Sequence, residues 1–322
     1  MQPSIYDSLS HDAATVAESL SAMMQKEQTT YTSCDYLHPA RGLSITECDR
    51  MQLVDWCYSV VDKCAFDREL VATTMEMVDR FLSTPNPVAR EALHDRCQFQ
   101  LVTIASLYIA IKVNEKFVFG SESFAAVSQG VYSVEDIEGM ELSILEGLSW
   151  RVCAPTSVGM AYNILSLVLP HVSLQESTWA FILDEVRFQC EFAVRDYYFT
   201  TQRRSTVALA AVFDTLDLLD QQDHRVIFQA LQLVIRWSPQ DLLAARTRLL
   251  LLLDDNDAVS EEDKIMSDDT PSREGGACSL RVGPECCFDN QQIPSIVPTR
   301  TPPLCVPRCS PENALCENCM RS

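Results

Sequence analysis

The stretch "LVTIASLYIAIK", residues 101–112, decides the fold class of this chain. Its first eleven residues include only two polar side chains, Thr103 and Ser106, and the twelfth residue is a lysine. A helix that is apolar on every side has no face for solvent, so the segment is predicted to be a buried central helix. Lys112, at the end of that helix, therefore needs an explanation.

Half-buried helices are predicted on both sides of this central segment. Their apolar residues recur three or four positions apart, as expected when one helical face packs against a core. The simplest packing of this pattern is a bundle of five helices with the most apolar helix at its centre. The predicted helices cover residues 47–64, 68–84, 96–113, 121–129 and 134–148.

A similar series follows the break at "CAPTS" (153–157). Its third segment is again the most apolar, and "TVALAAVF" (206–213) aligns with "LVTIASLY" (101–108). The sequence therefore predicts an all-α protein with two five-helix domains in tandem. The second set of predicted helices covers 156–169, 175–197, 204–220, 224–236 and 239–253.

The predicted organisation has four parts. Residues 1–34 are polar and are expected to form a flexible N-terminal segment. The two helical domains cover 35–153 and 154–253. Residues 254–322 are acidic at first and then rich in Pro, Ser and Cys, which is typical of a disordered tail.

The charge balance limits the possible partners. A formal net charge of −20 would repel phosphate backbones, so neither nucleic acid nor an anionic membrane is expected as a ligand. No apolar run approaches the ~20 residues of a membrane span, and the N-terminus lacks a signal-peptide pattern. We expect an intracellular, soluble protein whose partners are basic or are bound through an apolar surface.

The sequence contains no recognisable catalytic motif. Its glycines form no phosphate-binding loop and its five histidines lie far apart, so neither an enzyme nor a cofactor is expected. In the tail, Cys316 and Cys319 have the spacing of half a zinc site, but the spacing of Cys305 and Cys309 is less usual. Reduced thiols without metal are the preferred interpretation, with a zinc site as the alternative.

Several motifs, in their order and spacing, resemble the cyclin family. "DRMQLVDW" (49–56) is similar to the first helix of a cyclin box, and "MVDRFLST" (77–84) to its second. "LYIAIKVNE" (107–115) resembles the end of the third helix, and "MELSILEGLSW" (140–150) the fifth, which Ala-Pro-Thr (154–156) follows. The resemblance covers about residues 35–250 and implies an N-terminal cyclin box and a second cyclin-fold domain.

The resemblance implies a regulatory subunit that binds and activates a cyclin-dependent serine/threonine kinase during cell-cycle progression and cell division. Such proteins dock on the αC helix of the kinase, hold it inward so that an active-site lysine–glutamate pair forms, and help to open the activation loop. The family pairs a lysine and a glutamate at this interface, and they match Lys112 and Glu141. The remaining residues expected to bind the kinase are Val113, Glu115, Leu145, Trp150 and Val152.

Alternatives remain for these residues and for the activity. Lys112 could extend its ammonium into water from a buried helix, and Leu145 and Trp150 could be ordinary core residues. Val113 stands where relatives often have Phe, and Asn114 where they often have a carboxylate. The other candidate functions are a helical adaptor that binds without activating, and a transcription-associated cyclin-fold protein.

Many cyclins also bind Arg-x-Leu segments of substrates through their first helix. The matching residues are Arg50, Met51, Gln52, Leu53 and Trp56. The family has an isoleucine at the position of Gln52, and Ser59 stands where an acid would receive the substrate arginine. The alternative is that Arg50 and Trp56 stabilise helix packing.

The tail contains a possible regulatory site. Thr270, within "DDTPSR" (268–273), is similar to the sequence that cyclin-dependent kinases phosphorylate. The acidic Ser/Thr/Pro-rich composition also resembles signals that recruit degradation machinery, and a solvated tail without a regulatory role is the alternative. The resemblance implies a location in nucleus and cytoplasm. The chain carries no convincing basic import signal, so the nuclear location rests on this resemblance or on a partner that carries the chain in.

Overall fold

The computed structural model describes residues 12–38, 42–116, 120–128 and 130–265, with side chains through Asp254. These residues form twelve α-helices and two short 3-10 helices, and none of them lies in a strand. The prediction of an all-α fold is confirmed. The first seven helices are α1 (Ala13–Thr29), α2 (Glu47–Lys63), α3 (Glu69–Leu82), α4 (Pro87–Ala92), α5 (Arg96–Asn114), α6 (Ser121–Val127) and α7 (Val134–Gly147).

The apolar stretch at residues 101–112 lies in α5, at the centre of the first bundle. Helices α2, α3, α4, α6 and α7 all contact it, and every residue from Phe99 to Ile111 is buried. Local capping sets the bounds of the surrounding helices. Thr46 and Asp49 form a reciprocal capping box at the start of α2, and Ser133 does the same with Asp136 at the start of α7.

Helix α4 was not predicted from the sequence. Pro87 occupies its first position and Asn86 accepts a hydrogen bond from the backbone N–H of Val88, an arrangement that favours a helix start. The prolines at 85 and 87 therefore end α3 and also begin the next helix.

A second bundle follows, built around α10. Its core is separate from the first and includes Trp179, Ile182 and Leu216, all fully buried. Helix α10 contacts each of the other four helices of the bundle. These helices are α8 (Ser157–Val168), α9 (Glu176–Ala193), α10 (Arg204–Leu216), α11 (Gln221–Val234) and α12 (Pro239–Ile265), with 3-10 turns at Leu169–His171 and Tyr197–Thr201.

The N-terminal segment differs from its prediction. Residues 1–34 were expected to be flexible, yet α1 packs on α8 and places Leu20 in the second core. Its buried Glu27 accepts hydrogen bonds from the backbone N–H and the hydroxyl of Ser205, at 2.9 and 2.5 Å. A carboxylate of α1 thus satisfies the N-terminus of α10, the central helix of the other half of the chain.

The end of the second bundle also differs. Helix α12 continues to Ile265, beyond residue 253 where the tail was expected to begin. Residues 266–322, for which disorder was expected, lie outside the residues that the structure describes. Thr270 and the tail cysteines are among them. Among the described helices, none combines the length and apolar character that a membrane span requires.

Candidate functional site

Lys112 and Glu141 form an ion pair between the C-terminal turn of α5 and the middle of α7. The Nζ atom of Lys112 lies 2.6 Å from Oε1 of Glu141, and the two side chains are 35% and 14% exposed. The ammonium also lies 4.6 Å from the ring centroid of Tyr108, one turn earlier on α5. Lys112 is therefore fixed at the edge of the core by two neighbours rather than extending freely into water.

Tyr108 is part of this arrangement, although the sequence analysis did not single it out. Its ring packs against that of Phe124 from α6, with the centroids 5.0 Å apart. Burial raises the pKa of the Tyr108 phenol, and the positive charge of Lys112 opposes that rise. The spacing of four residues between Tyr108 and Lys112 was the signal that could have identified the contact.

Exposed apolar side chains occur on the elements that carry this ion pair. Trp150 is 65% exposed and Val113 is also exposed, whereas Leu145 and Val152 are half-buried and pack against the first core. Core packing therefore does not explain Trp150, and it explains Leu145 only in part. Leu142, next to Glu141, is exposed as well and was not among the predicted residues.

Trp150 lies in an unusual turn after α7. Both Ser149 and Trp150 have positive φ, 51° and 61°, which costs about 1–2 kcal/mol for each residue with a side chain. The N–H of Trp150 donates to the carbonyl of Leu145 at 2.8 Å, which closes the end of the helix. This backbone conformation places the indole in solvent instead of in the core.

A buried arginine of α3 holds the same turn from inside. Nη2 of Arg80 donates to the carbonyl oxygen of Arg151 at 2.7 Å, while Nη1 lies 3.0 Å from the carboxylate of Glu76. Burial raises the pKa of Glu76, and the charge of Arg80 opposes that rise. A fixed turn lets Trp150 meet a partner with little loss of conformational entropy.

Glu115 is the remaining residue of the predicted kinase-binding set. It follows the last residue of α5 and its N–H donates to the carbonyl of Ile111 at 2.9 Å, so its backbone caps the helix. Its half-buried side chain lies three residues beyond Lys112. The structure thus places the predicted set on α5 and its C-cap, on α7 and on the segment after α7, and α5 and α7 pack together.

The predicted Arg-x-Leu docking set is not assembled at the surface. Met51 and Gln52 are exposed, but Arg50, Leu53 and Trp56 are buried on the inner side of α2. This burial corresponds to the alternative interpretation, in which Arg50 and Trp56 stabilise packing.

Arg50 joins the two halves of the chain. Its guanidinium donates to both carboxylate oxygens of Asp79, at 2.9 and 2.8 Å, and to the carbonyl of Val194 at 2.8 Å. Asp79 also accepts the hydroxyl of Tyr36 at 2.7 Å. Burial by itself would lower the pKa of Arg50, but Asp79 raises it above the ordinary value. This buried ion pair is therefore a structural link between the two halves.

Comparisons with known proteins agree with this architecture. Residues 18–153 match the family model described as the N-terminal domain of cyclins. The chain is 28% identical over 189 residues to G2/mitotic-specific cyclin-B1 of Oryzias javanicus, an alignment that covers 59% of this chain and 43% of that protein. It is also 28% identical over 169 residues to G2/mitotic-specific cyclin S13-7 of Glycine max, covering 52% and 60%. These matches support a cyclin-family protein.

A solved structure has a similar fold. The X-ray structure of a viral cyclin from herpesvirus saimiri aligns with a TM-score of 0.55, covering 72% of this chain and 97% of the viral cyclin, at 12% sequence identity. That likeness concerns the fold alone. The chain spans about half the length of the cyclins that it matches in sequence.

Proposed function

We propose that this cyclin-family protein is the regulatory subunit of a cyclin-dependent serine/threonine kinase and activates it by docking on its αC helix. The observation that carries the proposal is the Lys112–Glu141 ion pair on elements that also expose Val113 and Trp150. The sequence relatives named as G2/mitotic-specific cyclins support a role in cell-cycle progression. Family members are regulatory, which fits a protein that is not itself an enzyme.

The two parts of the surface have different tasks. Moving a kinase from mostly inactive to mostly active requires differential binding of about 5 kcal/mol. An exposed ion pair contributes about 0–1 kcal/mol, so the apolar side chains must supply most of the affinity. Lys112 and Glu141 can donate to and accept from main-chain groups of the docked kinase segment, which fixes its position on the surface.

The binding part of the proposal is tested by affinity purification from cells. Tagged wild-type chain is expected to co-purify a kinase that phosphorylates histone, and the Lys112→Ala/Glu141→Ala variant is expected to lose both. The matched control removes another surface ion pair, Asp67–Arg187, whose charged atoms lie 2.7 Å apart. Neither of these two residues lies on α5 or α7.

The outcomes separate the proposal from its rivals. A kinase recovered equally with the double variant would place the interface elsewhere. A kinase that binds but gains no activity would indicate the non-activating adaptor. Loss of the kinase in the Asp67→Ala/Arg187→Ala control would mean that the assay reports general damage.

Further parts of the proposal concern location and turnover. A cyclin of this kind would act in nucleus and cytoplasm, carried by its kinase partner, and fluorescence imaging of the tagged chain tests that location. The bound kinase would phosphorylate Thr270 and so recruit the degradation machinery. An unchanged half-life for Thr270→Ala in a cycloheximide chase would contradict this step. Arg-x-Leu binding through α2 is not included, because Arg50 and Trp56 are buried.

A further inference from the structure

Helix α9 exposes large aromatic side chains on its outer face. Phe181 and Phe188 are 43% and 47% exposed, and Phe192 is half-buried. Spacings of seven and four residues place the three rings in one stripe along the helix. The opposite face of α9 packs into the second core through Trp179, Ile182 and Val186. None of the three phenylalanines belongs to that core.

Part of the stripe is ordered before any partner binds. The rings of Phe188 and Phe192 stack with centroids 5.8 Å apart and planes inclined by 23°. The guanidinium of Arg195 lies 5.4 Å from the centroid of Phe192 and donates to Asp55 of α2 at 2.9 Å. A surface with fixed rings loses little side-chain entropy when it is covered.

Helix α2 also carries an exposed apolar side chain near its contact with Arg195. Met51 is exposed and lies one turn before Asp55, the residue that pairs with Arg195. Apolar side chains from both halves of the chain therefore flank that ion pair. We name the surface formed by Met51, Phe181, Asp184, Phe188 and Phe192 the α9 ridge.

The charge of the α9 ridge indicates the chemistry of its partner. Asp184 is exposed on the same helical face, three residues after Phe181 and four before Phe188. The nearby cations are already neutralised, since Arg187 pairs with Asp67 and Glu191. The chain as a whole carries a formal charge of −20. A cationic side chain would thus be attracted to the middle of the ridge.

We propose that the α9 ridge binds an amphipathic, basic α-helical segment of a partner protein. Eleven residues separate Phe181 from Phe192, which corresponds to about 17 Å or three helical turns. A partner helix of that length presents apolar side chains at i, i+4, i+7 and i+11 along one face, so it can follow rings that are seven and four positions apart. A lysine or arginine on the same face meets Asp184. The ridge lies on α9 and α2, apart from the kinase-binding residues on α5 and α7, so the inference stands without the proposed function.

The test uses the full chain and no kinase. A library of 16-residue peptides is panned on immobilised wild type and on Phe188→Ala. The expected peptides are enriched on wild type alone, carry a net positive charge and repeat apolar residues at helical spacing. In fluorescence anisotropy, Phe188→Ala should weaken a recovered peptide about tenfold or more, and Asp184→Asn by a smaller factor with a shallower salt dependence.

The control replaces an exposed leucine on another helix. Leu233 of α11 is more exposed than any of the three phenylalanines, and Leu233→Ala should leave peptide affinity unchanged. Equal losses in Leu233→Ala and Phe188→Ala would overturn the proposal, as would peptides without positive charge or no enrichment at all. A dimer seen by sedimentation equilibrium and abolished by Phe188→Ala would show that a second copy of this chain occupies the ridge instead.

Discussion

Replacing Arg50 by alanine tests whether this residue is a structural link or a docking residue. In Arg50→Ala the buried carboxylate of Asp79 loses two hydrogen bonds of 2.8–2.9 Å, and the carbonyl of Val194 loses one of 2.8 Å. Breaking a buried ion pair costs about 3–5 kcal/mol, because an uncompensated charge remains inside. That is a large part of the ~5–15 kcal/mol that stabilises a typical domain.

The assay is urea unfolding of the full chain, followed by far-UV circular dichroism. At about 2–3 kcal/mol per molar urea, the loss lowers the midpoint by roughly 1–2 M. Because Arg50 also contacts Val194, the variant should unfold less cooperatively than wild type. Arg195→Ala is the matched control: it removes a half-buried pair with Asp55, nearer to solvent than Arg50–Asp79, and should cost about 0–1 kcal/mol.

A second variant guards against general damage. In the double substitution Arg50→Met/Asp79→Leu, neither charge of this buried pair remains, so most of the lost stability should return. The structural interpretation of Arg50 would be refuted if Arg50→Ala lost less than about 1 kcal/mol. Loss of binding to an Arg-x-Leu peptide with unchanged stability would reinstate the predicted docking role.

Three further substitutions test other contacts. Glu27→Ala removes the acceptor for the buried N–H of Ser205 and should cost about 1–3 kcal/mol in urea unfolding; an unchanged midpoint would mean that this contact contributes no stability. Gly147→Ala would place a methyl group 2.8 Å from the ring of Phe81 and should cost about 1–3 kcal/mol, whereas a gain in melting temperature would show that the ring moves away freely. Burial raises the pKa of Asp214 to about 6, so its stabilising protonation is complete below about pH 4 and is lost as the pH rises through 6. Asp214→Asn should therefore gain stability relative to wild type, by up to about 3 kcal/mol, between pH 4 and 7; a difference independent of pH would contradict the shifted pKa.

The fold could be predicted from the sequence where local pattern determined structure. The all-round apolar character of residues 101–111 identified the central helix, because no other environment suits such a segment. Helix α1 was not predicted because it has few buried residues, such as Val16 and Leu20. The helix packs against α8, which is far away in the sequence. Long-range burial of this kind leaves little local periodicity.

Some of the functional residues could also be predicted from the sequence, whereas others depend on contacts between distant helices. Lys112 and Glu141 were paired correctly from the family resemblance, and the structure joins them at 2.6 Å. The burial of Arg50 and Trp56 could not be inferred from α2 alone, because the partner of Arg50 is Asp79 on the next helix. The α9 ridge was not recognised because its phenylalanines fit the helical spacing of a core face, and only the packing of Trp179 on the opposite side shows which face is inward.

The proposed activation of a cyclin-dependent kinase can be measured directly in a purified system. The purified chain is added in increasing concentration to a purified, inactive cyclin-dependent kinase of the mitotic type, and phosphate transfer to histone is measured. The account predicts a saturable rise of about a hundredfold, as expected if the active conformation increases from about 1% to 99%. For Trp150→Ala the curve should move to higher concentration. Binding at saturation with no rise in phosphate transfer would contradict the account.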